Sequence, residues 1–301
     1  VADGPTAADE AGQQDALGRV IDYLGCPLCG LPLGIVDGQL RCEARHSYNI
    51  ARQGYASLLS GGKHPSAGDS AEMVAARAAF LATGHYSAIA DAVAASIPTA
   101  AIPDATRDAA ASGLVLDLAG GTGYYLARVM DAHPQLVGLS LDLSPHAARR
   151  AAKVHPRVAS ATADAWQRFP LLDRSVRHAV SIFGPRNPGE LARVLQEDGS
   201  LVVVTPTAEH LHELRDGLGL IGIDERKEDR LRTQLERFET VGVDRLDYRV
   251  AMSREDVLWD VTMGPNAYHV DPEQLRLGIE RLDDATQVTV SVSVGRYRLL
   301  A

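Results

Sequence analysis

The sequence predicts an α/β fold, a Rossmann-like and mostly parallel sheet closed by an antiparallel last strand, with a small N-terminal zinc ribbon. Three observations carry that prediction. From Leu114 onward, short apolar runs bounded by turn residues alternate with helical stretches, the pattern of a sheet built by crossover connections. The first run, Leu114 to Leu118, leads into Ala119-Gly-Gly-Thr-Gly123, a turn that lets backbone N–H groups at a helix start approach a ligand closely. All three cysteines, Cys26, Cys29 and Cys42, fall in one short segment that closes with His46.

Bulk properties narrow the class. A chain of 301 residues suits one large and one small unit, and an apolar fraction of 46% is ample for a core. The net charge of −9 argues against non-specific binding of polyanions, without excluding a local basic face. No run of about 18 apolar residues is present, so no membrane partner is expected. Val1 to Asp15 carries no charged-then-apolar leader pattern, and a cytoplasmic protein is expected. An odd, clustered cysteine count speaks for a metal and against a disulfide framework.

The chain then divides into a disordered tail over 1–16, a zinc-ribbon domain over 17–62 and a larger domain over 63–301. The ribbon reads C-x2-C-x12-C-x3-H, two ligand pairs separated by a hairpin that turns at Asp37-Gly38. Zinc takes four such ligands in a tetrahedron, and a closed set is structural rather than catalytic. Arg41, Arg45, Arg52 and Lys63 make the module locally basic, as in an RNA-reading appendage, although ordinary solvated charge gives the same pattern. Tyr48 and Tyr55 suit either base stacking or a small core.

After a Gly61–Gly68 linker, a helix starts with Asp69 or Ser70 as its cap and stops at Gly84. A second helix spans about Ser87–Ile97, and the loop between them carries His85 and Tyr86, an aromatic that covers a cofactor or simply packs. A connection over Pro98–Ser112 precedes strands at 114–118, 136–142, 157–162, 177–183 and 200–205, with helices at 121–132, 144–154 and 188–196. Residues 207–238 read as helical and 243–252 as a strand. The strict alternation from Gln287 to Val294, continuing through Leu300, predicts an antiparallel strand of edge type.

A parallel sheet binds its ligand at the strand C-terminal ends, which singles out Asp117, Asp142, Asp164 and the run Phe183 to Asn187. A dinucleotide site needs a third glycine after the turn, for close helix–strand packing beside a pyrophosphate. Here Gly121-Thr122-Gly123 is followed by Tyr124 and Tyr125, so that glycine is absent. Asp117 would repel phosphate but suits a cationic sulfonium nucleoside, Asp142 can reach a ribose hydroxyl, and Asp164 can accept from an adenine amino group. In order and spacing these features resemble class I S-adenosylmethionine-dependent methyltransferases, and so does the closing antiparallel strand.

A more specific resemblance runs through about residues 20–215. Cys26-Pro-Leu-Cys-Gly30, Cys42 and His46 are followed by Gly54-Tyr55, Gly68-Asp-Ser-Ala-Glu-Met73, Ala76-Arg77, Phe80-Leu81, Gly84-His-Tyr86 and Leu116-Asp-Leu-Ala-Gly-Gly-Thr-Gly-Tyr-Tyr125. Together they resemble the bacterial 23S ribosomal RNA guanine-N1 methyltransferases with an N-terminal zinc ribbon, and in particular the tylosin-resistance branch. The resemblance implies one structural Zn2+ on Cys26, Cys29, Cys42 and His46. It implies S-adenosylmethionine contacts from Tyr86, Gly121, Thr122 and His210, a homodimer, and a target guanine in the hairpin 35 loop of 23S rRNA. Two departures stand out. The common Gly-Cys-Gly-Glu-Gly reads Ala119-Gly-Gly-Thr-Gly123, and an Ala-Pro-Cys run reads Gly184-Pro-Arg186.

Guanine N1 carries a proton, so methyl transfer needs a base or a donor that stabilises charge on O6. Arg186 and Asn187 are the catalytic candidates, and no residue declares itself the base. The expected function is methylation of guanine(748) N1 with tylosin-type resistance. The alternatives are the guanine(745) housekeeping type, a natural-product methyltransferase with a structural ribbon, and a non-catalytic RNA-binding module.

Overall fold

The computed structural model describes residues 16–59, 68–98, 113–220 and 227–300. The expected tail up to residue 15, most of the Gly61–Gly68 linker with Lys63, and residues 99–112 of the second connection lie outside the described residues. No described helix is long and apolar enough to cross a membrane.

The N-terminal unit is a three-stranded antiparallel sheet of β1 (Gly34–Val36), β2 (Gln39–Arg41) and β3 (Ser47–Asn49). Its hairpin turns at Asp37 and Gly38, whose φ angles of 50° and 70° are the paired left-handed values of a tight two-residue turn. The next strand, β4 (Ala56–Ser57), leaves the ribbon and pairs in parallel with β7 (Val158–Thr162) of the main sheet.

The main sheet adds β5 (Leu114–Leu118), β6 (Val137–Asp142), β8 (Val176–Ile182), β9 (Leu195–Pro206), β10 (Phe238–Met252) and β11 (Thr286–Leu299). Its order is β10-β11-β9-β8-β5-β6-β7-β4. The chain goes from β5 to β6 on one side and returns to β8 on the other, so β5 stands at the switch point where such sheets open a crevice. β11 runs antiparallel to both neighbours, as expected, but it lies between β9 and β10 and is not an edge strand. The alternation that suggested an edge records only that Val288, Val290, Val292 and Val294 share one buried face. It carries no information about how many strands flank it.

Helices α1 (Ala71–Ala82), α2 (Ser87–Ser96), α3 (Tyr124–Ala132), α4 (Pro145–Ala151) and α5 (Pro188–Val194) follow the expected order. Ser70 caps α1, its hydroxyl accepting from Met73 N–H at 3.2 Å, while Asp69 pairs with Arg77 at 2.5 Å. α3 begins three residues later than expected, because Gly121 and Gly123 take left-handed backbone angles that no helix continues. β9 starts at Leu195, directly after α5, and β10 starts at Phe238. The region read as helical holds only α6 (His212–Leu218) and α7 (Lys227–Gln234) among its described residues. Two helices without a sequence expectation, α8 (Arg254–Thr262) and α9 (Pro272–Glu280), fill the crossover between β10 and β11.

Alternate residues of a strand face opposite sides, and β5 shows the consequence. Leu114, Leu116 and Leu118 enter one apolar cluster, and Val115 enters the other, with α2, α3, α8 and α9. The first cluster also contains Leu24, Leu33, Leu40 and Tyr48 of the ribbon, so ribbon and sheet share one core. Gly25 N–H donates to Pro170 O at 3.1 Å and Leu172 N–H donates to Tyr23 O at 2.9 Å, which fixes the join. Leu24 is fully buried at that join. Leu24→Ala should therefore cost about 2–5 kcal/mol of global stability, read as one shifted transition in a urea melt. An unchanged main transition would show that the ribbon folds independently of the sheet.

Candidate functional site

The ribbon brings its four predicted ligands together. Cys26 opens a turn closed by Gly30 N–H donating to its carbonyl at 2.8 Å, and Cys42 opens a second, closed by Arg45 N–H at 2.9 Å. One ligand atom from each of Cys26, Cys29, Cys42 and His46 lies within 4.8 Å of every other. Cys26 Sγ is 3.4 Å and Cys42 Sγ 3.5 Å from His46 Nδ1, and Cys29 Sγ is 3.7 Å from Cys42 Sγ. A zinc tetrahedron with bonds of about 2.3 Å has edges of roughly 3.8 Å. The donor set therefore fits zinc with no position left open.

Tyr48 is buried and places its hydroxyl 3.1 Å from Cys26 Sγ, so this ring belongs to the ribbon core rather than to a stacking surface. Burial opposes ionisation of Cys26, but the Tyr48 hydroxyl and the N–H groups of Cys29 and Leu28 outweigh it and bring the thiol down to about 6. Arg41 pairs with Asp37, whereas Arg45 and Arg52 are exposed.

The second site is a cleft of about 400 Å³ at the C-terminal ends of the parallel strands. Its floor is the loop after β5. Ala119, Gly121 and Gly123 all have positive φ, and Gly120 has no room for a side chain, since a Cβ there would lie 2.4 Å from Ser140 Oγ and 2.6 Å from Asp117 Oδ2. Asp142 accepts from Gly121 N–H at 2.9 Å and from Ser144 N–H at 2.8 Å, tying the loop to the end of β6 and the start of α4. Asp117 is buried with Oδ2 unpartnered, and burial followed by the nearby Asp142 charge raises its carboxyl to about 7. Burial also raises Asp142, against the two N–H bonds. Asp164 lies buried at the end of β7 and accepts from Trp166 N–H at 2.9 Å.

Six predicted residues line this cleft: Tyr86, Asp117, Gly121, Thr122, Asp142 and Asp164. His210 stands one layer back, behind Tyr86 and Phe183, its ring 5.9 Å from that of Phe183. It accepts from Ser291 N–H at Nδ1 (3.2 Å), which leaves Nε2 to donate to the Tyr86 hydroxyl at 3.2 Å. That hydroxyl in turn donates to Asp260 at 3.4 Å. Gly123 is the N-cap of α3, and a Cβ there would lie 2.9 Å from Val154 Cγ1, so its role in the structure is to let α3 pack on the residues after α4.

The catalytic candidates separate. Asn187 caps α5 and accepts from Glu190 N–H at 3.3 Å, away from the cleft lining. Arg186 adjoins the lining residues Gly184 and Pro185 and is partly buried. Its Nη1 donates to Gly184 O at 3.2 Å, its Nε is buried without a partner, and burial lowers its pKa. No carboxylate among the described residues pairs with it.

Parts of the wall come from residues that sequence reading did not select. Arg77 bridges Asp69 and the carbonyl of Met263 at 2.6 Å, so the loop after α8 closes over the cleft and contributes Gly264, Pro265 and the exposed Tyr268. Trp166 is 61% exposed at the rim, while Phe183, which opens the run singled out from the sequence, holds a left-handed φ of 57°. Arg77 appeared within the family-like motifs, but its partner 186 residues away leaves no local signature.

The metal site generates a direct expectation. The purified chain should carry about one zinc, and chelation or Cys42→Ser should release it and lower the melting temperature by at least about 5 °C, on a scale of about 2–4 °C per kcal/mol. Zinc analysis with a thermal melt checks this, and an unchanged melt after zinc loss would contradict it.

Comparison with known proteins points one way. The zinc-ribbon family described as RlmA, N-terminal, matches residues 24–64. A Micromonospora griseorubida protein, provisionally named a 23S rRNA (guanine-N(1)-)-methyltransferase, is 47% identical over 290 residues, covering 93% of this chain and 98% of its own. The 23S rRNA (guanine(748)-N(1))-methyltransferase of Streptomyces fradiae is 43% identical over 278 residues, covering 91% of this chain and 96% of its own. The Bacillus subtilis protein YxjB, again a provisional 23S rRNA (guanine-N(1)-)-methyltransferase, is 28% identical over 289 residues, covering 92% and 99%. With relatives this similar over almost its entire length, the chain belongs to the 23S rRNA (guanine-N1)-methyltransferase family.

Proposed function

We propose that the chain methylates N1 of guanine 748, in the hairpin 35 loop of 23S rRNA, with S-adenosylmethionine as methyl donor. The observation that carries this reading is the 43% identity to the Streptomyces fradiae enzyme over 91% of this chain. That likeness favours position 748 over 745, and an RNA acceptor over a small molecule or a non-catalytic module. Protection of a cytoplasmic ribosome against tylosin-like macrolides is the physiological role that follows, and the resemblance to the family further supports a homodimer.

The cofactor supplies an electrophilic methyl group on a sulfonium. Asp117 fits its cationic end, because the unpartnered Oδ2 is a buried acceptor in need of a donor or a positive charge. Asp142 would hold the ribose hydroxyls, Asp164 the adenine amino group, and Tyr86 and Thr122 the walls around them. His210 would act through Tyr86, fixing its hydroxyl from behind. Methyl transfer is an in-line displacement, so placing the two reactants supplies much of the rate. The acceptor guanine must leave its stack to reach the cleft, where the exposed Trp166 and Tyr268 offer ring faces at the rim.

As the N1 proton leaves, negative charge grows on O6, and Arg186 is the nearby cation without a carboxylate partner among the described residues. A half-buried guanidinium is costly to leave unpaired, and an anionic transition state would repay that cost. Recognition of the hairpin falls to the zinc-ribbon domain over residues 17–62, and the chemistry to the domain over 63–301.

Primer extension on 23S rRNA after incubation with the protein and S-adenosylmethionine should stop next to guanine 748, and mass spectrometry should place the methyl group on that base. A protein that binds the cofactor but leaves this guanine unmodified would refute the reading. Arg186→Ala should lower the single-turnover rate about 100-fold while leaving cofactor binding intact.

Cofactor affinity should also depend on pH. Only ionised Asp117 attracts a cation, so with its carboxyl at about 7 the affinity should rise as pH increases from 6 to 8 and level off above. The same shift lowers folding stability as pH rises from about 3.8 to about 7, because over that window the native state holds a proton that the unfolded chain has already released. Asp117→Asn should weaken binding and abolish its pH dependence, measured by calorimetry at pH 6, 7 and 8. A wild-type affinity that is flat over this range would contradict the assignment.

A further inference from the structure

A second groove, of about 610 Å³, runs beside the cofactor cleft and shares Leu81, Thr122 and Tyr124 with it. Its floor is made of small and apolar side chains of α1, among them Val74 and Ala78, and its other wall is α4 with the turn that follows. That wall presents His146, Arg149, Arg150 and Lys153, all exposed, at positions i, i+3, i+4 and i+7. This spacing lays His146, Arg149 and Arg150 along one face of α4, and Lys153 of the turn that follows adds a fourth basic side chain to the same groove, while Ala147, Ala148 and Ala151 turn inward and are buried.

The stripe differs from other exposed cations of this acidic chain. Arg128, Arg254 and Arg276 form ion pairs with Asp91, Asp284 and Glu273. Arg149, Arg150 and Lys153 have no carboxylate partner among the described residues. The acid facing the stripe is Glu72 of α1, which interacts with His146 and is held by the Ser70 hydroxyl at 2.8 Å. Asp69, just before the same end of α1, is taken up by Arg77.

We propose that this groove holds the ribose–phosphate backbone of the RNA strand next to the target base, with Arg149, Arg150 and Lys153 as its phosphate contacts. The inference rests on the RNA-methyltransferase reading and adds a surface that reading does not assign. A chain with a net charge of −9 repels RNA overall, so a substrate strand needs a local cationic track to its reaction site. Three adjacent cations, two on α4 and one on the turn after it, can meet successive phosphates of one strand. S-adenosylmethionine has no phosphate, so the neighbouring cofactor offers this stripe no anion of that kind. Because the groove and the cleft meet at Thr122 and Tyr124, a strand lying in the groove brings its bases to the cleft mouth.

Arg149 and Arg150 lie in the last turn of α4, where positive charge also offsets the helix dipole. The experiment therefore separates RNA contact from helix stability. The triple variant Arg149→Gln/Arg150→Gln/Lys153→Gln and its charge-keeping counterpart Arg149→Lys/Arg150→Lys are compared with the wild type, using a hairpin 35 RNA fragment. The measurements are RNA affinity from 50 to 200 mM salt, KM for RNA, S-adenosylmethionine affinity and melting temperature. The neutral variant should raise KM for RNA at least about tenfold and reduce the slope of log affinity against log salt by about 2–3. S-adenosylmethionine affinity should not change, and the lysine variant should keep the wild-type slope.

An unchanged salt slope and KM in a folded neutral variant would overturn the groove assignment while leaving the RNA-methyltransferase reading intact. A wild-type chain that neither binds nor methylates the fragment would overturn both. A drop in melting temperature of the neutral variant, with RNA affinity falling only in proportion to the unfolded fraction, would assign the stripe to helix stability and also overturn the proposal.

Discussion

The cleft depends on the Asp142 carboxylate. One oxygen accepts the N–H of Gly121 and the other accepts the N–H of Ser144, so a single side chain fastens the glycine loop after β5 to the turn that starts α4. It acts with the Gly120 N–H bond to Leu141 O and the Gly123 N–H bond to Gly120 O to fix a loop in which three residues have positive φ. The loop in turn leaves Asp117 buried beneath Gly120, with an oxygen that no protein group satisfies. The Asp142 charge adds to burial in making Asp117 harder to ionise. A cationic ligand relieves that arrangement, which is why a pocket that disfavours phosphate suits a sulfonium nucleoside.

The ribbon relates to this pocket through packing rather than through a hinge. Leu24, Leu33 and Leu40 lie in the same apolar cluster as Leu116 and Leu139, and β4 extends the main sheet by pairing with β7. The metal ligands Cys26 and Cys42 belong to that cluster as well. Zinc therefore stabilises more than a surface knuckle, since it holds the layer that covers one face of the parallel sheet. The opposite face is covered by α2, α3, α8 and α9, and the loop after α8 reaches back through Arg77 to roof the cleft.

Charge is distributed with similar economy. Arg193, Arg245, Arg254, Arg276 and Arg296 of the C-terminal half are matched to nearby acids, which suits a solvated exterior. Arg186 beside the cleft and the stripe on α4 lack such partners among the described residues, and both lie where an anionic substrate would approach. Unpaired cations are the costlier choice for Arg186, which is partly buried, than for exposed Arg149 and Arg150.

The sequence by itself determined the metal site, because all four ligands lie within 21 consecutive residues and their spacing is a local property. It also determined the strand order of events around Asp117, Asp142 and Asp164, since each acid closes an apolar run whose length and composition can be read directly. Tertiary structure decided what depends on distant partners. The alternation of Val288 to Val294 revealed a buried face but not the neighbour β10, which made β11 an interior strand. Asn187 caps α5 through Glu190 N–H only three residues on, a local contact of the kind a sequence can show. His210 moved behind Tyr86, and Arg77 gained a role only through Met263, because contacts across more than a hundred residues leave no periodic trace in the chain.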